Sequence, residues 1–215
     1  MMRPMSSLLA AVLMAAHGAG GHGQHGNPAD LDAYIARMEE PERAQWQKPD
    51  EVVAALQLKP GQVACDIGAG PGYFSLRLAR AVGEPGHVFA VDVEPRILEA
   101  LRKRIVSSKA RNISPVLSLA DDPLLPPGAC DLILVVDTYH HFPDGPAYLR
   151  RLARALRPGG KLVNIDFQKR ELPVGPPLEH KVSREAFLKD AKAAGLKPVA
   201  EHAFLPYQYF LVLQP

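Results

Sequence analysis

The sequence predicts an α/β fold in which helices cover both faces of a mostly parallel sheet. Three observations predict it. The stretch VACDIGAGPGYF, Val63–Phe74, joins a short apolar run to an amphipathic segment, which is the order strand, tight loop, helix. Apolar runs and helical patterns then alternate as far as Phe167, as in parallel sheets with right-handed crossovers. Two final strand-like runs are separated only by Leu205-Pro206, and a connection that short demands an antiparallel pair.

The composition is that of an ordinary globular protein. The 215 residues are 47% hydrophobic and 22% charged, with a net charge of +2, which excludes wholesale disorder and favours one domain. Basic clusters at Arg102–Arg104 and Arg150–Arg151 fall inside helical patterns, so we interpret them as solvated faces. Since no basic stripe runs along the chain, we expect no nucleic-acid partner.

The chain contains two cysteines, Cys65 and Cys130. Each lies in an apolar, strand-like run. This pattern predicts buried small hydrophobic side chains, and neither a disulfide nor a zinc site. We therefore predict no metal centre from the cysteines.

The N-terminus resembles an export signal. Arg3 precedes the apolar run Ser6–Ala16, which is too short to span a bilayer and is followed by small residues at Ala16 and Gly18 that suit cleavage. The pattern favours export to the periplasm or envelope, without a transmembrane anchor. The alternative is an N-terminal extension of a cytoplasmic protein.

The segment after this run is rich in glycine and histidine. Its histidines, His17, His22 and His25, are flanked by flexible glycines, which indicates a linker rather than a metal site. We divide the chain into residues 1–28 (signal-like segment and linker), 29–48 (N-terminal helical extension) and 49–215 (the domain).

The elements before the glycine loop are two helices and a strand. Apolar residues at helical spacing predict one amphipathic helix over Asp30–Gln47. A second helix begins at Pro49, where Asp50 and Glu51 suit the positive end of the helix dipole. The first strand follows from Val63 to Asp66.

Gly68, Gly70 and Gly72 stand at alternate positions after this strand. Glycine is needed where the loop adopts angles that a Cβ penalises and where a ligand lies against the main chain. In the dinucleotide fingerprint G-x-G-x-x-G the third glycine would fall at Tyr73, so NAD is not the first hypothesis. Asp66 stands two positions before the first glycine.

A second strand ends at Asp92, twenty residues after Gly72. In nucleotide-binding α/β folds, an acidic residue at this point accepts hydrogen bonds from ribose hydroxyls. The next connection to carry acidic residues, ADDPLLPPG, contains Asp121 and Asp122 and follows the third strand. The predicted elements of this half are a helix at 73–82, a strand at 87–93, a helix from 95 to about 106 and a strand at 113–119.

The fourth strand, Asp131–Asp137, is almost continuously apolar, as expected for a strand covered on both faces. It runs into His140 and His141, which lie at the carboxyl edge of the sheet and have the titration range of a general base. The alternative is that one histidine caps or packs against the next helix. Asp137 is a further polar candidate at this edge of the sheet. The later elements are a helix from 145 stopped by 157–160, a strand at 161–167, a helix between Ser183 and Gly195, and strands at 197–204 and 207–213.

These motifs together resemble class I S-adenosylmethionine (SAM) methyltransferases. The resemblance covers about Pro49–Leu213 and includes the acidic residue before G-x-G-x-G, the acidic end of strand two, DTYHHF after strand four and LRPGGKLV before strand five. The last motif is similar to the small-molecule branch that includes ubiquinone and menaquinone biosynthesis methyltransferases. The resemblance implies a Rossmann-like three-layer sandwich with a seven-stranded, mostly parallel sheet of order 3-2-1-4-5-7-6 and strand 7 antiparallel.

The resemblance also implies residue roles around SAM. Asp66 and the loop would hold its methionine part, Asp92 its ribose and Asp121 or its neighbour the adenine amino group. Asp137 is expected near the cofactor, and Asp137, His140 and His141 are the candidate catalytic residues. The full set of candidate cofactor-binding residues is Asp66, Gly68, Ala69, Gly70, Gly72, Asp92, Asp121 and Asp137.

The implied function is methyl transfer to a small-molecule acceptor. Tyr73 or Tyr139 is expected either to line the methyl channel or to pack as an ordinary aromatic residue. One alternative is a non-catalytic SAM-binding or envelope interaction module. A nicotinamide oxidoreductase is disfavoured because Tyr73 and Phe74 follow the loop where such a pocket would extend.

Overall fold

A computed structural model describes residues 30–215. The signal-like segment and the linker, with His17, His22 and His25, lie outside the described residues. Within the described part, no helix combines the length and apolar character needed to cross a membrane.

Seven strands form one sheet of order β3-β2-β1-β4-β5-β7-β6. Strand β7 is antiparallel to both of its neighbours, β5 and β6, while the other pairs are parallel. The predicted fold class, strand order and final hairpin are therefore confirmed. The strands are β1 (Val63–Ile67), β2 (His87–Asp92), β3 (Ile113–Leu117), β4 (Cys130–Val136), β5 (Leu156–Phe167), β6 (Lys197–His202) and β7 (Gln208–Gln214).

Helices cover both faces of the sheet. They are α1 (Leu31–Met38), α2 (Arg43–Gln47), α3 (Pro49–Leu56), α4 (Ser75–Val82), α5 (Pro95–Ser108), α6 (Gly145–Ala155) and α7 (Arg184–Ala193). Two short 3-10 turns lie at Tyr139–His141 and Leu178–His180. Buried residues of α3, α4 and α5 form one core cluster, and those of α6 and α7 form the other.

Strand β4 supplies side chains to both clusters. Leu132 and Leu134 pack on the side of α3–α5, whereas Ile133 and Val135 pack on the side of α6 and α7. Because successive side chains of a strand point to opposite faces, a strand covered on both sides must be apolar throughout. This explains why the sequence of β4 is a continuous apolar run.

The predicted helix over 30–47 is instead two helices, α1 and α2. Pro41 lies between them, and a proline disfavours helical angles at the residue before it, here Glu40. Asp30 does begin α1, since its carboxylate accepts from the backbone N–H of Ala33 at 2.9 Å. The break lets α2 turn towards the carboxyl edge of the sheet.

Several strand boundaries differ from the prediction, most of all at β3, β5 and β6, where β6 ends at His202 rather than at 204. β3 ends at Leu117 rather than at 119. β5 begins at Leu156, so the RPGG stretch expected as a turn belongs to the strand, with a shift of register against β4 between Cys130 and Leu132.

Cys65 and Cys130 form a disulfide, so the prediction of two unlinked cysteines was wrong. The prediction that both are buried is confirmed. Cys65 lies in β1 and Cys130 begins β4, and these strands are neighbours although the residues are 65 positions apart. The two sulfurs meet because β1 and β4 are neighbours in the sheet. They lie on the face of the sheet that also packs against α6 and α7.

Candidate active site

The glycine loop between β1 and α4 has left-handed backbone angles at all three glycines. Gly68, Gly70 and Gly72 have φ of +68°, +56° and +91°. A Cβ at Gly68 would collide with Thr138 after β4, and one at Gly72 would lie 2.5 Å from Leu101 Cδ1. Gly68 and Gly72 are therefore required both by their backbone angles and by their neighbours, and Gly70 is required by its backbone angle.

The main chain of the loop is tied to the end of β2. Gly68 and Ala69 donate their N–H groups to the carbonyl of Val91 at 2.9 and 3.0 Å. Gly70 donates to Asp92 Oδ2 at 2.9 Å. The predicted cofactor residues of the loop and Asp92 thus form one rigid unit.

Asp66 and Asp92 are two buried carboxylates beside this loop. Asp66 is 3% exposed and accepts a hydrogen bond from Ser75 Oγ at 2.6 Å. Burial raises the pKa of Asp66 to about 6, against the opposing effect of that bond. Burial likewise raises the pKa of Asp92, which accepts from Glu94 as well as Gly70. No Lys, Arg or His among residues 30–215 forms an ion pair with either carboxylate.

Asp121 and Asp122, predicted near an adenine, lie after β3 and face α6. Arg151 Nε is 3.3 Å from Asp122, and another nitrogen of Arg151 is 3.9 Å from Asp121. Asp122 also accepts from the N–H of Leu124 at 2.8 Å. Since the side chain of Asp121 is 65% exposed, it is the more accessible of the two.

Asp137 joins three elements at the carboxyl edge. It has a φ of +52° directly after β4, and its Oδ1 accepts from Gln208 of β7 at 2.6 Å. Gln208 in turn accepts from Gln47 of α2 at 2.9 Å, and Arg43 of α2 lies 3.8 Å from Asp137. Burial and the nearby charge of Asp166 raise the pKa of Asp137 to about 7, although Arg43 and Gln208 oppose the shift.

His140 points to Asp166, a residue that the sequence analysis missed. Its Nδ1 lies 3.4 Å from Asp166 Oδ2, and the two side chains are 7% and 0% exposed. Burial lowers the pKa of His140, but the hydrogen bond to Asp166 and the charges of Asp166 and Asp137 outweigh it, so the pKa is raised. The available signal was an acid near the carboxyl end of the strand KLVNIDF.

The other predicted histidine, His141, is exposed, and its ring centroid is 4.2 Å from that of His140. Of the three candidate catalytic residues, the structure brings Asp137 and His140 together with Asp166. His141 lies on the solvent side of this group.

The two candidate tyrosines have different surroundings. Tyr139 packs edge-on against Phe187 in the core and donates its hydroxyl to Asp190 at 2.8 Å, so it is a packed aromatic residue. Tyr73 follows the loop, and two guanidinium groups lie over its ring, with Cζ of Arg43 at 4.2 Å and Cζ of Arg77 at 4.6 Å from the ring centroid. The buried Tyr73 hydroxyl has no hydrogen-bond partner among the described residues.

The N-terminal helices cover this edge of the sheet. Glu39 forms an ion pair with Arg104 of α5, and Arg104 also donates to the carbonyl of Pro71 in the loop at 2.7 Å. Met38 Sδ would lie 3.3 Å from a Cβ at Gly70. Trp46 packs against Phe167 at the end of β5, with ring centroids 5.6 Å apart. We call residues 31–47 the cover segment.

Comparisons with known proteins agree with this geometry. Residues 64–160 match the family model Methyltransf_25, described as a methyltransferase domain. The chain is 32% identical over 121 residues to the ubiquinone/menaquinone biosynthesis C-methyltransferase UbiE of Vibrio vulnificus, covering 56% of this chain and 45% of the relative. It is 28% identical to the demethylmenaquinone methyltransferase of Shouchella clausii, covering 60% and 54%. The chain thus spans about half the length of these curated relatives.

A solved structure extends the similarity across the described fold. The SAM-dependent methyltransferase from Aquifex aeolicus superimposes with a TM-score of 0.80 at 25% identity, covering 84% of this chain and 96% of the other.

The residues at the site fit the cofactor that these comparisons imply. SAM carries an ammonium group and a sulfonium, and the loop is flanked by Asp66 and Asp92, which have no ion-pair partner among residues 30–215. SAM also has to lie close to the main chain of the loop, and the three glycines permit this because they have no side chain. Residues 64–160 therefore match a methyltransferase domain, in a fold similar to that of a solved SAM-dependent methyltransferase, and the residues of the site fit SAM as the cofactor.

Proposed function

We propose that this chain transfers the methyl group of SAM to a small-molecule acceptor. The observation that carries the proposal is the glycine loop flanked by two buried carboxylates, Asp66 and Asp92, that have no ion-pair partner among residues 30–215. A second polar group, formed by Asp137, His140 and Asp166, lies at the ends of the neighbouring strands β4 and β5. We call the loop with Asp66 and Asp92 the cofactor side, and Asp137, His140 and Asp166 the acceptor side. Both lie at one edge of the sheet.

On the cofactor side, each residue has a role that follows from its surroundings. Asp66 binds the ammonium group of the methionine part, and the main chain of Gly68–Gly72 lies against that part. Asp92 accepts hydrogen bonds from the ribose hydroxyls, and Asp121 accepts from the adenine amino group. Val93 and Leu119, 50% and 56% exposed after β2 and β3, supply apolar surface for a flat base. When bound, SAM supplies a methyl group activated by the positive charge on its sulfur.

On the acceptor side, the cover segment limits the size of the acceptor. Arg43 and Gln47 of α2 lie over Asp137 and Gln208, so the polar group is enclosed rather than open to a large partner. The names of the curated relatives refer to quinone biosynthesis, which also supports a small molecule.

Calorimetry with SAM tests the cofactor side. Gly68→Val should abolish binding, because the new side chain meets Thr138 at a left-handed backbone position. Asp66→Ala should abolish it by removing the carboxylate. The matched control is Gly128→Val, since Gly128 has φ of +66° but nothing within 4 Å of its Cβ position. Unchanged affinity in both site variants would refute the assignment.

Turnover separates an enzyme from a non-catalytic SAM-binding module. The protein is incubated with SAM carrying a labelled methyl group and with the small-molecule fraction of the source organism, and S-adenosylhomocysteine is measured. Formation of this product with label in a small molecule supports methyl transfer. Tight SAM binding without product would favour the module.

A further inference from the structure

We propose that His140, held by Asp166, is the general base for the acceptor, and that the acceptor is therefore one that must lose a proton. This class comprises hydroxyls, phenols, N–H groups and acidic carbons, and it excludes thioethers and tertiary amines. The inference rests on the proposed function, which leaves the acceptor class open. Asp166 acts through His140 as a positioning residue.

The geometry fixes which nitrogen of His140 is available. Nδ1 faces Asp166 Oδ2 at 3.4 Å, while Asp166 Oδ1 accepts from the N–H of Phe167 at 2.8 Å. Both carboxylate oxygens are thus engaged, and the fully buried side chain cannot turn to water. A carboxylate at Nδ1 favours the tautomer with hydrogen on Nδ1, which leaves the lone pair of Nε2 to accept a proton.

The position of His140 connects it to the cofactor loop. It lies on the 3-10 turn directly after β4, three residues beyond Asp137 and two beyond Thr138. Thr138 packs against Gly68 of the loop, and Asp137 contacts Arg43 of the cover segment. The base, the loop and the segment that covers them therefore lie at the same edge of the sheet.

The chemistry balances without another reactant. The proton of the acceptor passes to Nε2 of His140, and the acceptor atom forms a bond to the methyl carbon. The carbon–sulfur bond breaks with its electron pair left on sulfur, giving S-adenosylhomocysteine. The methylated acceptor leaves, and the imidazolium returns its proton to water.

The charged groups around His140 determine its pH behaviour. Asp166 faces it from β5, Asp137 from the end of β4 and His141 from the same turn, while Arg43 reaches it only through Asp137. The hydrogen bond to Asp166 and the charges of Asp166 and Asp137 raise the pKa of His140 above its ordinary range, against the effect of burial. Since a base must be unprotonated, the rate should rise with pH, and its midpoint should lie on the alkaline side of an ordinary histidine.

A titration of the histidine rings by nuclear magnetic resonance tests the pair without turnover. In the full chain saturated with SAM, His140 should carry its hydrogen on Nδ1. Asp166→Asn should lower its proton affinity by about tenfold, since one pKa unit corresponds to that factor. The matched control is Asp131→Asn, at the opposite edge of the sheet in an ion pair with Arg157. An unchanged His140 titration, or hydrogen on Nε2, overturns the inference.

Kinetics test the role of the base, with catechol as the proton-bearing probe and dimethyl sulfide as the probe that loses no proton. His140→Gln should lower the rate of catechol methylation at least 100-fold, while the Kd for SAM changes less than threefold. Asp166→Asn should shift the acid limb of the pH–rate profile to lower pH. His87→Gln, whose ring contacts Ser114 at the far end of β2, is the control and should keep the full rate.

Two outcomes overturn the base assignment: transfer to dimethyl sulfide alone, or a catechol rate that His140→Gln leaves within threefold. Loss of SAM binding by the wild-type chain, or SAM binding with no transfer to either probe or to the small-molecule fraction, would instead refute the proposed function. The two failures are therefore distinguishable.

Discussion

Asp66 places a buried carboxylate at the cofactor loop, and the ionisation of this carboxylate destabilises the ligand-free fold. Its pKa is raised from 3.8 to about 6 by burial. Since one pKa unit corresponds to 1.36 kcal/mol, ionising Asp66 in the folded chain costs about 3 kcal/mol. As pH rises above 3.8 the unfolded chain ionises first, so the ligand-free protein loses stability up to about pH 6 and no further above it.

Replacing Asp66 with asparagine should therefore separate stability from binding. Asp66→Asn keeps an acceptor for Ser75 Oγ but carries no charge. At pH 8 the free energy of unfolding without SAM should rise by about 1–3 kcal/mol, and at pH 4 it should match wild type. Urea unfolding at both pH values measures this, and calorimetry should show weaker SAM binding. An equal gain at both pH values would mean that packing, not ionisation, is the cause.

At the scale of elements, the cover segment is held to the sheet by a chain of buried amides. Gln47 of α2 donates to Gln208 of β7, which donates to Asp137 after β4. Both glutamines are almost fully buried. Because breaking such a chain leaves buried polar groups without partners, each lost bond costs about 1–3 kcal/mol.

Gln208→Leu should release the cover segment. The change leaves the Gln47 amide and Asp137 without this partner, so the end of α2 should separate from β7. Trp46, the single tryptophan of the chain, packs against Phe167 there, so its fluorescence reports the separation. We expect a red shift of its emission. Gln214→Leu, on the same strand with a bond to the exposed Gly159 carbonyl, is the control and should leave the spectrum unchanged.

An unchanged spectrum in Gln208→Leu would show that aromatic packing alone holds α2. Trp46 contacts Tyr207 as well as Phe167, and the ring centroids of Trp46 and Tyr207 are 6.5 Å apart. These two aromatic contacts would then be what keeps α2 in place.

The elements differ in how far the sequence predicts them. The apolar run of β4 and the short final hairpin are local patterns, and the structure has both. The break at Pro41 is also local, but the amphipathic pattern continues across it and masks it. Asp166 and Arg43 could not be found this way, because their roles depend on β5 and α2 meeting β4 at one edge. Long-range contacts, rather than periodicity, determine the acceptor side.

At the scale of the whole molecule, the Cys65–Cys130 disulfide joins the two central strands. It lies on β1, immediately before Asp66, and on β4, which leads to Asp137 and His140. The bridge closes a loop of the chain that contains the glycine loop, α4, β2, α5 and β3. Bridges over loops of this length typically add about 2–4 kcal/mol to stability. Cofactor side and acceptor side are therefore covalently tied through the core.

The disulfide also bears on the compartment. Disulfides persist in oxidising compartments and are rare in the cytosol, where thiols are kept reduced. The signal-like run Ser6–Ala16 independently favours export. SAM is made in the cytosol, so an exported enzyme would need the cofactor to be supplied. The disulfide and the N-terminal pattern therefore favour the envelope, whereas the need for SAM favours the cytosol.

Native protein purified from separated cell fractions resolves this conflict. If the protein is exported, we expect it in the envelope fraction with an N-terminus after residue 16 or 18, and a non-reducing peptide map should contain Cys65 and Cys130 in one linked pair. Adding a reductant should then lower its free energy of unfolding by about 2–4 kcal/mol. A cytosolic protein that begins at Met1, with both thiols open to alkylation, would contradict export. SAM would then reach the site without any transport step.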